Sequence, residues 1–140
     1  NIHICYIMNN IYDKSSGIRE LTGNDFKGKQ LINPLYKNKN GIIKFYAHWC
    51  PHCHTMKDTM IFLNEGLKNH GFFIAAVNIT NNSDLQKLFD IQGIPSLYSV
   101  NQEGKLSKLN IDNNIESILE SICSFTKLCC KKKNNNIDCS

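Results

Sequence analysis

The sequence predicts an α/β fold in which a central mixed β-sheet is flanked by helices on both faces. Two apolar runs, at residues 41–47 and 72–79, have the length and the aromatic and β-branched content of buried strands. Amphipathic stretches follow them at 51–67 and 83–90, as expected for helices that pack on a sheet. With 140 residues and 41% hydrophobic content, the chain is long enough for one core and too short for two.

The residues before the first apolar run are predicted to begin with an extension at 1–16, whose order the sequence leaves open. Residues 18–21 then form a short strand. Residues 22–26 are typical of a helix start, and we expect that helix to fade before Pro34. The apolar run at 41–47 follows as the central strand.

The C-terminal half is predicted to contain a hairpin and a last helix. Strands at 96–100 and 105–109 pair across a turn in which Gly104 supplies the positive φ that such turns often need. Asp112 is expected to cap the last helix. Apolar side chains recur along this helix at helical spacing: Ile115, Ile118, Leu119 and Ile122.

Two cysteines separated by two residues are the most informative feature of the chain. The segment 49–53, WCPHC, places two thiols one helical turn apart at a predicted strand-to-helix turn, which is typical of a thiol–disulfide redox centre. Unpaired N–H groups and the positive end of the helix dipole favour the thiolate of Cys50, so we expect it to be accessible and to act as the nucleophile. Cys53 is expected to be shielded and to resolve the mixed disulfide that forms at Cys50.

The chain resembles the thioredoxin-fold family and is similar to thioredoxins and protein disulfide isomerase domains. Residues 45–53 match the active-site strand and turn of that family, and residues 93–97 match the segment that carries its cis-proline. The resemblance implies a thioredoxin fold with a thioredoxin-like domain at 17–128. The extension at 1–16 would precede it, and a tail rich in Cys, Lys and Asn at 129–140 would follow it.

The resemblance also implies a substrate-binding edge. In the family, the peptide bond before the residue equivalent to Pro95 is cis, and its loop faces the dithiol. Ile94 would then offer its backbone groups to an extended substrate segment. Trp49 fits the family position that packs beside the active site.

His52 is expected to set the direction of the reaction. An imidazolium beside the Cys50 sulfur stabilises the thiolate and therefore the reduced form, which makes the disulfide a stronger oxidant. The pair Pro51-His52 resembles that of strongly oxidising bacterial disulfide-forming enzymes, whereas reductive thioredoxins usually carry Gly-Pro. We therefore expect oxidation or isomerisation of protein disulfides, with a general thioredoxin-like reductase as the alternative.

Lys44 departs from the family's pattern. Six residues before Cys50, thioredoxins and isomerase domains usually carry a buried acid that helps to move the proton of the second cysteine. Strand alternation predicts that Lys44 lies beneath the active-site helix, where an ammonium group favours thiolates but cannot accept the Cys53 proton. Burial would lower its pKa and let it act as a neutral base, and the alternative is that it reaches solvent without a role. The family's usual lysine aligns with Ala76, so the ordinary acid–lysine pair is absent.

Five cysteines lie outside the motif, and their odd number excludes complete pairing within one monomer. They are Cys5, Cys123, Cys129, Cys130 and Cys139. Cys123 borders the apolar face of the last helix and is most simply a buried small hydrophobe. The others are compatible with a shuttle dithiol, a bridge to Cys5 or an intermolecular link. Our leading expectation is that they are reduced and incidental, in a monomer.

Nucleic acid and membrane are not expected partners. The net charge of +4 comes from scattered lysines, and the only run, at 131–133, has no interleaved aromatic residues and is expected to be part of a solvated tail. No apolar run approaches the ~20 residues that cross a bilayer. Residues 2–8 lack a basic leader and a cleavage site, so no signal peptide is expected, although the chain does not begin with Met and the compartment stays open.

Two other classes of function remain as alternatives. Metal binding is suggested by three histidines and two cysteines within seven positions: His48, Cys50, His52, Cys53 and His54. Zinc sites usually take such ligands as two separated pairs, and a second pair is missing. A non-catalytic peptide-binding module is the other alternative. For the redox function, the expected partners are protein or peptide thiols and a recycling redox partner, and no cofactor is expected beyond the Cys50–Cys53 disulfide.

Overall fold

A five-stranded mixed sheet forms the centre of the computed structural model, which describes residues 10–139. The strands, numbered along the chain, stand across the sheet in the order β1 (Arg19–Glu20), β5 (Phe72–Asn78), β4 (Asn40–Tyr46), β6 (Ser96–Val100) and β7 (Leu106–Lys108). β1, β5 and β4 run parallel to one another, whereas β6 is antiparallel to both β4 and β7. The predicted mixed sheet is confirmed.

Helices cover both faces of this sheet. They are α1 (Pro51–Thr55), α2 (Lys57–Leu67), α3 (Ser83–Leu88) and α4 (Ile115–Thr126). Because successive residues of a strand point to opposite faces, Lys44 and Phe45 of β4 mark the two sides of the sheet. Lys44 contacts Cys53 in α1, and the Phe45 ring packs 5.6 Å from that of Phe89, which follows α3. Within residues 10–139, no helix is both long and apolar enough to cross a membrane.

The helix predicted between residue 22 and Pro34 is wrong. Thr22 and Asp25 do form a reciprocal capping box, as the helix-start signal requires, but it closes only a 3-10 turn at Gly23–Asp25. The chain then turns back at Gly28, whose φ of 56° lies outside the helical region. The result is a two-stranded hairpin of β2 (Phe26–Lys27) and β3 (Gln30–Leu31).

Gly104 attaches this hairpin to the main sheet. The Leu31 N–H donates to the Gly104 carbonyl oxygen at 2.9 Å. Gly104 has a φ of 84°, and a Cβ atom there would lie 2.3 Å from the carbonyl oxygen of Leu31. The glycine predicted from turn chemistry therefore also lets the hairpin approach the turn between β6 and β7.

The amphipathic stretch at 51–67 forms two helices, because α1 ends at Thr55 and α2 begins at Lys57. The Thr55 hydroxyl donates to the His52 carbonyl oxygen at 2.8 Å, and the Met56 N–H donates to the same oxygen at 3.2 Å. A threonine side chain that bonds back to the preceding turn competes with the backbone and bends helices, which accounts for the interruption at Met56.

The last helix begins two residues later than the predicted cap implies. Asn114, and not Asp112, is the capping residue, and its Oδ1 accepts the Ser117 N–H at 2.8 Å. The apolar face of α4 is buried as the periodicity predicts, at Ile118, Leu119 and Ile122.

The expectation that the cysteines outside the motif are reduced is wrong for four of them. Cys123 is bonded to Cys129, and Cys130 is bonded to Cys139. Four cysteines allow three pairings that sequence alone does not distinguish, so the connectivity depends on how the chain folds after α4. Cys5 lies outside the described residues.

Residues of the predicted tail form a hairpin that docks on α2. β8 (Lys131–Lys133) and β9 (Asn136–Asp138) pair antiparallel, with exposed lysines as expected of a solvated segment. The Ile137 side chain packs so closely on Gly66 that a Cβ atom at position 66 would lie 2.6 Å from Ile137 Cδ1. Gly66 therefore leaves room for the hairpin. The division of the chain at residues 17 and 128 stays a prediction.

We expect Gly66→Ala to lower the free energy of unfolding by about 1 kcal/mol. Alanine is the better helix former by about 1 kcal/mol. However, overpacking against Ile137 costs about 1–3 kcal/mol. In an Ile137→Ala background, the same substitution should be neutral or stabilising. Chemical denaturation of the wild type, both single variants and the double variant measures this coupling. Stabilisation by Gly66→Ala in both backgrounds would show that the hairpin does not dock there.

Candidate active site

The two motif cysteines lie at the start of α1, and both are thiols in the structure. Cys50 is the N-cap residue, and its sulfur accepts the backbone N–H of Cys53 at 3.2 Å. Cys53 is one turn further along and fully buried. The sequence motif therefore forms the expected pair: one sulfur receives a helix-terminal N–H group, and the other lies beneath it.

The Cys50 sulfur is less accessible than the sequence led us to expect, because only 6% of this residue is exposed. The carbonyl oxygen of Ile94 lies 3.9 Å from Cys50 Sγ. The bond between Ile94 and Pro95 is cis, as the family resemblance implied. The hydroxyl of Ser96 donates to the Gly93 carbonyl and closes the loop on itself. This loop therefore lies beside the sulfur and offers its backbone there.

Burial raises the pKa of Cys53 to about 12, and the contact with Cys50 adds to the increase. The positive charge of Lys44 acts in the opposite direction. Cys53 therefore keeps its proton at neutral pH. For this sulfur to attack a disulfide, a nearby base has to accept its proton, or a nearby charge has to change so that the pKa of Cys53 falls.

Lys44 lies beneath α1 with its side chain fully buried, so the alternative in which it reaches solvent is wrong. Its Nζ donates to the Cys53 carbonyl oxygen at 2.7 Å and to the Tyr12 hydroxyl at 2.6 Å. The same nitrogen lies 4.9 Å from the centre of the Tyr12 ring and 5.6 Å from that of Tyr46. Burial lowers the pKa of Lys44 to about 8, although the neighbouring thiols and a carboxyl group favour its charged form.

That carboxyl group belongs to Glu20 of β1, which the sequence analysis missed. Its Oε2 accepts hydrogen bonds from the Tyr46 hydroxyl and, at 3.3 Å, from the Tyr12 N–H. Burial raises the pKa of Glu20 to about 7, against the lowering effect of these hydrogen bonds and of Lys44. The sequence did offer a signal for Glu20, because this residue is a charged one inside the predicted strand at 18–21. Tyr12 lies in the predicted extension, where no pattern marked it.

The other predicted site residues are exposed around the motif. Trp49 is 65% exposed, and Pro51 and His52 are exposed on the first turn of α1. Within residues 10–139, no hydrogen bond joins the His52 imidazole to Cys50. An influence of His52 on the sulfur therefore has to act through its charge and not through a direct contact.

The flanking histidines are engaged with each other. His54 Nε2 makes a hydrogen bond with the His48 carbonyl, and the two rings lie 5.9 Å apart. In the part of the chain that the structure describes, no three His, Cys, Asp or Glu side chains are grouped as metal ligands would be. The geometry therefore gives no support to the metal-binding alternative.

Proteins similar to this chain are found among the thioredoxins and disulfide isomerases. The family model described as Thioredoxin matches residues 18–124. A protein disulfide-isomerase of Medicago sativa is 32% identical over 114 residues, which cover 78% of this chain and 22% of that protein. The chain therefore spans only about a fifth of the length of that relative.

Solved structures agree on the fold. The first thioredoxin domain of mouse protein disulfide-isomerase A4 has a TM-score of 0.67 at 20% identity, over 85% of this chain and 82% of that one. Mitochondrial thioredoxin 3 of Saccharomyces cerevisiae, in its oxidised form, has a TM-score of 0.63 at 21% identity, over 80% of this chain and 99% of that one. Because the family model covers most of the sheet and both motif cysteines, the chain belongs to the thioredoxin family of thiol–disulfide oxidoreductases.

Proposed function

We propose that this chain oxidises or isomerises disulfides of protein or peptide clients through Cys50 and Cys53, with no cofactor beyond the Cys50–Cys53 disulfide. The observation that carries the proposal is the unequal setting of the two sulfurs. Cys50 Sγ receives the Cys53 N–H at the start of a helix, whereas Cys53 is fully buried and its pKa is raised to about 12. Unequal thiols one turn apart suit stepwise thiol–disulfide exchange.

The oxidising reaction has two exchange steps. A client thiolate attacks Cys50 Sγ of the Cys50–Cys53 disulfide, a client–Cys50 bond forms, and Cys53 leaves as a thiolate that takes up a proton. A second client thiolate then attacks the client sulfur of the mixed disulfide and expels Cys50. The client gains one disulfide and loses two electrons, which reduce the pair. A recycling redox partner has to reoxidise it.

Lys44 supplies the proton in the first step. Its Nζ donates a hydrogen bond to the Cys53 carbonyl oxygen, and its positive charge acts on the Cys53 sulfur. In the reverse direction, the neutral amine accepts the Cys53 proton, which a pKa of about 8 permits near neutral pH. This role is compatible with the absence of the family's usual acid at position 44.

The residues around Cys50 adjust the redox potential. A positive charge on His52 would favour the Cys50 thiolate, while Pro51 begins the helix and leaves no N–H unpaired at its first position. Trp49, which precedes Cys50 in the chain, offers an exposed indole. Of these features, a positive charge at His52 supports an oxidant more than a reductant, because it stabilises the Cys50 thiolate and therefore the reduced form.

The client binds along the loop that contains Ile94 and Pro95. The loop also borders a groove of about 900 Å³ against α4, but no residue of the WCPHC motif lines that groove, so the client segment is placed by the loop backbone alone. The carbonyl of Ile94 already faces the Cys50 sulfur at 3.9 Å. An extended client segment that pairs with this backbone would bring its own sulfur within reach of Cys50.

Replacing Cys53 by Ser should trap clients, whereas replacing Cys50 by Ser should abolish exchange. Without its resolving thiol, Cys50 still attacks a client disulfide, but the mixed disulfide persists. We expect Cys53→Ser to accumulate a client adduct that is visible on a non-reducing gel and released by dithiothreitol. The double variant Cys130→Ser/Cys139→Ser is the matched control, and it should retain exchange. Exchange by Cys50→Ser would contradict the proposal, as would adduct formation that requires Cys130 or Cys139.

The redox potential should fall when the charge at position 52 is removed. A full imidazolium effect of about 2 kcal/mol corresponds to about 45 mV for a two-electron couple. We expect His52→Gln to lower the potential of the Cys50–Cys53 couple by roughly 20–45 mV in a glutathione titration. The exposed His70, replaced by Gln, is the control and should leave the potential unchanged. Equal potentials for wild type and His52→Gln would remove His52 from the mechanism, and a wild-type value in the thioredoxin range, about −270 mV, would favour the reductase alternative.

A further inference from the structure

Glu20 and Lys44 occupy one row of the sheet on either side of Ala76. Glu20 is paired with Ala76 between β1 and β5, and Lys44 is paired with the same residue between β4 and β5. Paired residues on neighbouring strands point to the same face, so both charged side chains project beneath α1. The strands are about 4.8 Å apart, and the methyl group of Ala76 leaves the space between the two side chains free.

Two tyrosines fill that space, and each contacts both charged groups. The Tyr12 hydroxyl accepts from Lys44 Nζ at 2.6 Å, while its backbone N–H donates to Glu20 Oε2 at 3.3 Å. The Tyr46 ring lies 5.6 Å from Lys44 Nζ, and its hydroxyl donates to Glu20 Oε2. The tyrosines thus connect the carboxyl group of β1 to the amine that touches Cys53.

One oxygen of the Glu20 carboxyl group has no hydrogen-bond partner within residues 10–139. Among the described residues, its Oε1 is the one buried side-chain oxygen or nitrogen without a hydrogen-bond partner. A buried carboxylate oxygen without a partner is costly, and taking up a proton relieves part of that cost. The pKa of Glu20, at about 7, therefore approaches that of Lys44, at about 8, so that a single proton lies mainly on Lys44 but passes to Glu20 at little cost.

We propose that Glu20 is a positioning residue of the redox centre, and that with Lys44 it forms a couple that takes up the proton of Cys53 when this thiol resolves a mixed disulfide. The inference rests on the proposed function, since it concerns the reverse of the first exchange step, in which Cys53 attacks the mixed disulfide. The couple takes over the task of the family's acid–lysine pair, with the acid on β1 and the lysine on β4.

The proton balance of the step is simple. Before resolution Cys53 is a thiol, and the Lys44–Glu20 couple holds one proton. When that proton passes from Lys44 to the Glu20 carboxylate, the Lys44 amine is neutral and can accept another. The Cys53 proton passes into the couple, which then holds two protons, as ammonium and carboxylic acid, and Cys53 is a thiolate. The thiolate attacks Cys50 Sγ, the Cys50–Cys53 bond forms, and the client leaves as a thiolate. Afterwards the couple returns the extra proton to solvent.

The rate of resolution should depend on pH through the protonation state of Glu20. Below about pH 7 the couple already holds two protons and accepts no third, so resolution should slow as the pH falls. Other groups face this cluster and bear on its charge: Cys50 and Cys53 of α1, Lys57 and Asp58 of α2, Tyr12 and Tyr46. Burial raises the pKa of both tyrosines well above the range of the experiment, so they stay neutral.

With Cys5 replaced by Ser in every protein tested, so that Cys50 and Cys53 are the remaining thiols, the disulfide probe dithiobis(nitrobenzoate) separates the two sulfurs in the full chain. Attack by Cys50 releases a first thionitrobenzoate, and attack by Cys53 on the resulting mixed disulfide releases a second. We expect Glu20→Gln to slow the second release about tenfold at pH 7.5, to leave the first unchanged, and to abolish the inflection near pH 7. Glu20→Asp should restore part of the rate and the inflection. Glu103→Gln, on an exposed turn, is the matched control and should behave as wild type.

Titration of the wild-type protein provides a readout that needs no variant to fold. The 13C resonance of the Glu20 carboxyl group should titrate near pH 7 in the reduced protein. A Glu20 that titrates near its ordinary value of 4.5 would overturn the proposal. So would an unchanged second release and pH profile in Glu20→Gln. Failure of the wild type to oxidise any client peptide would contradict the proposed function instead, because the probe reaction and the titration need no client.

Discussion

The burial of the Lys44 amine beneath the active-site helix is the constraint on which the rest of the site depends. Removing an ammonium group from water costs several kcal/mol unless partners compensate for it. The compensation comes from a carbonyl oxygen, a phenol hydroxyl and two aromatic faces. The phenol hydroxyl belongs to Tyr12, and Ile11 beside it donates its N–H to the Tyr46 hydroxyl at 3.0 Å. Residues outside the segment matched by the family model are thereby drawn into the core.

Features carried by local patterns could be predicted from the sequence. The runs of β4 and β5 and the hairpin around Gly104 follow from periodicity and turn chemistry, whereas the cis-proline loop was implied by the resemblance to the thioredoxin-fold family. The motif also predicted the N-cap position of Cys50. Glu20 and Tyr12 could not be found in this way, because their proximity to Lys44 depends on strand register across the sheet. A small residue at position 76 makes that proximity possible, and it is informative only once the strand order is known.

The errors in the predicted elements have local physical causes. A capping signal at Thr22 is real, but a left-handed glycine six residues later outweighs it and produces a hairpin. The Thr55 hydroxyl interrupts a helix whose apolar periodicity is continuous. The polar composition of the C-terminal residues indicates solvent exposure, which the lysines have, but composition does not reveal the two disulfides and the Ile137 contact that order the hairpin.

The position of the Cys50 sulfur beside the Ile94 carbonyl limits which cysteines can reach it. Attack on a disulfide needs a nearly straight line of three sulfur atoms, and here the approach is narrowed by the loop on one side and by the helix on the other. A cysteine in a rigid, convex surface cannot enter such a slot without steric conflict, whereas one on a pliable strand can. Access to Cys50 Sγ is therefore set by how far the approaching backbone can bend, because the Ile94 carbonyl and the start of α1 leave the sulfur only slightly exposed.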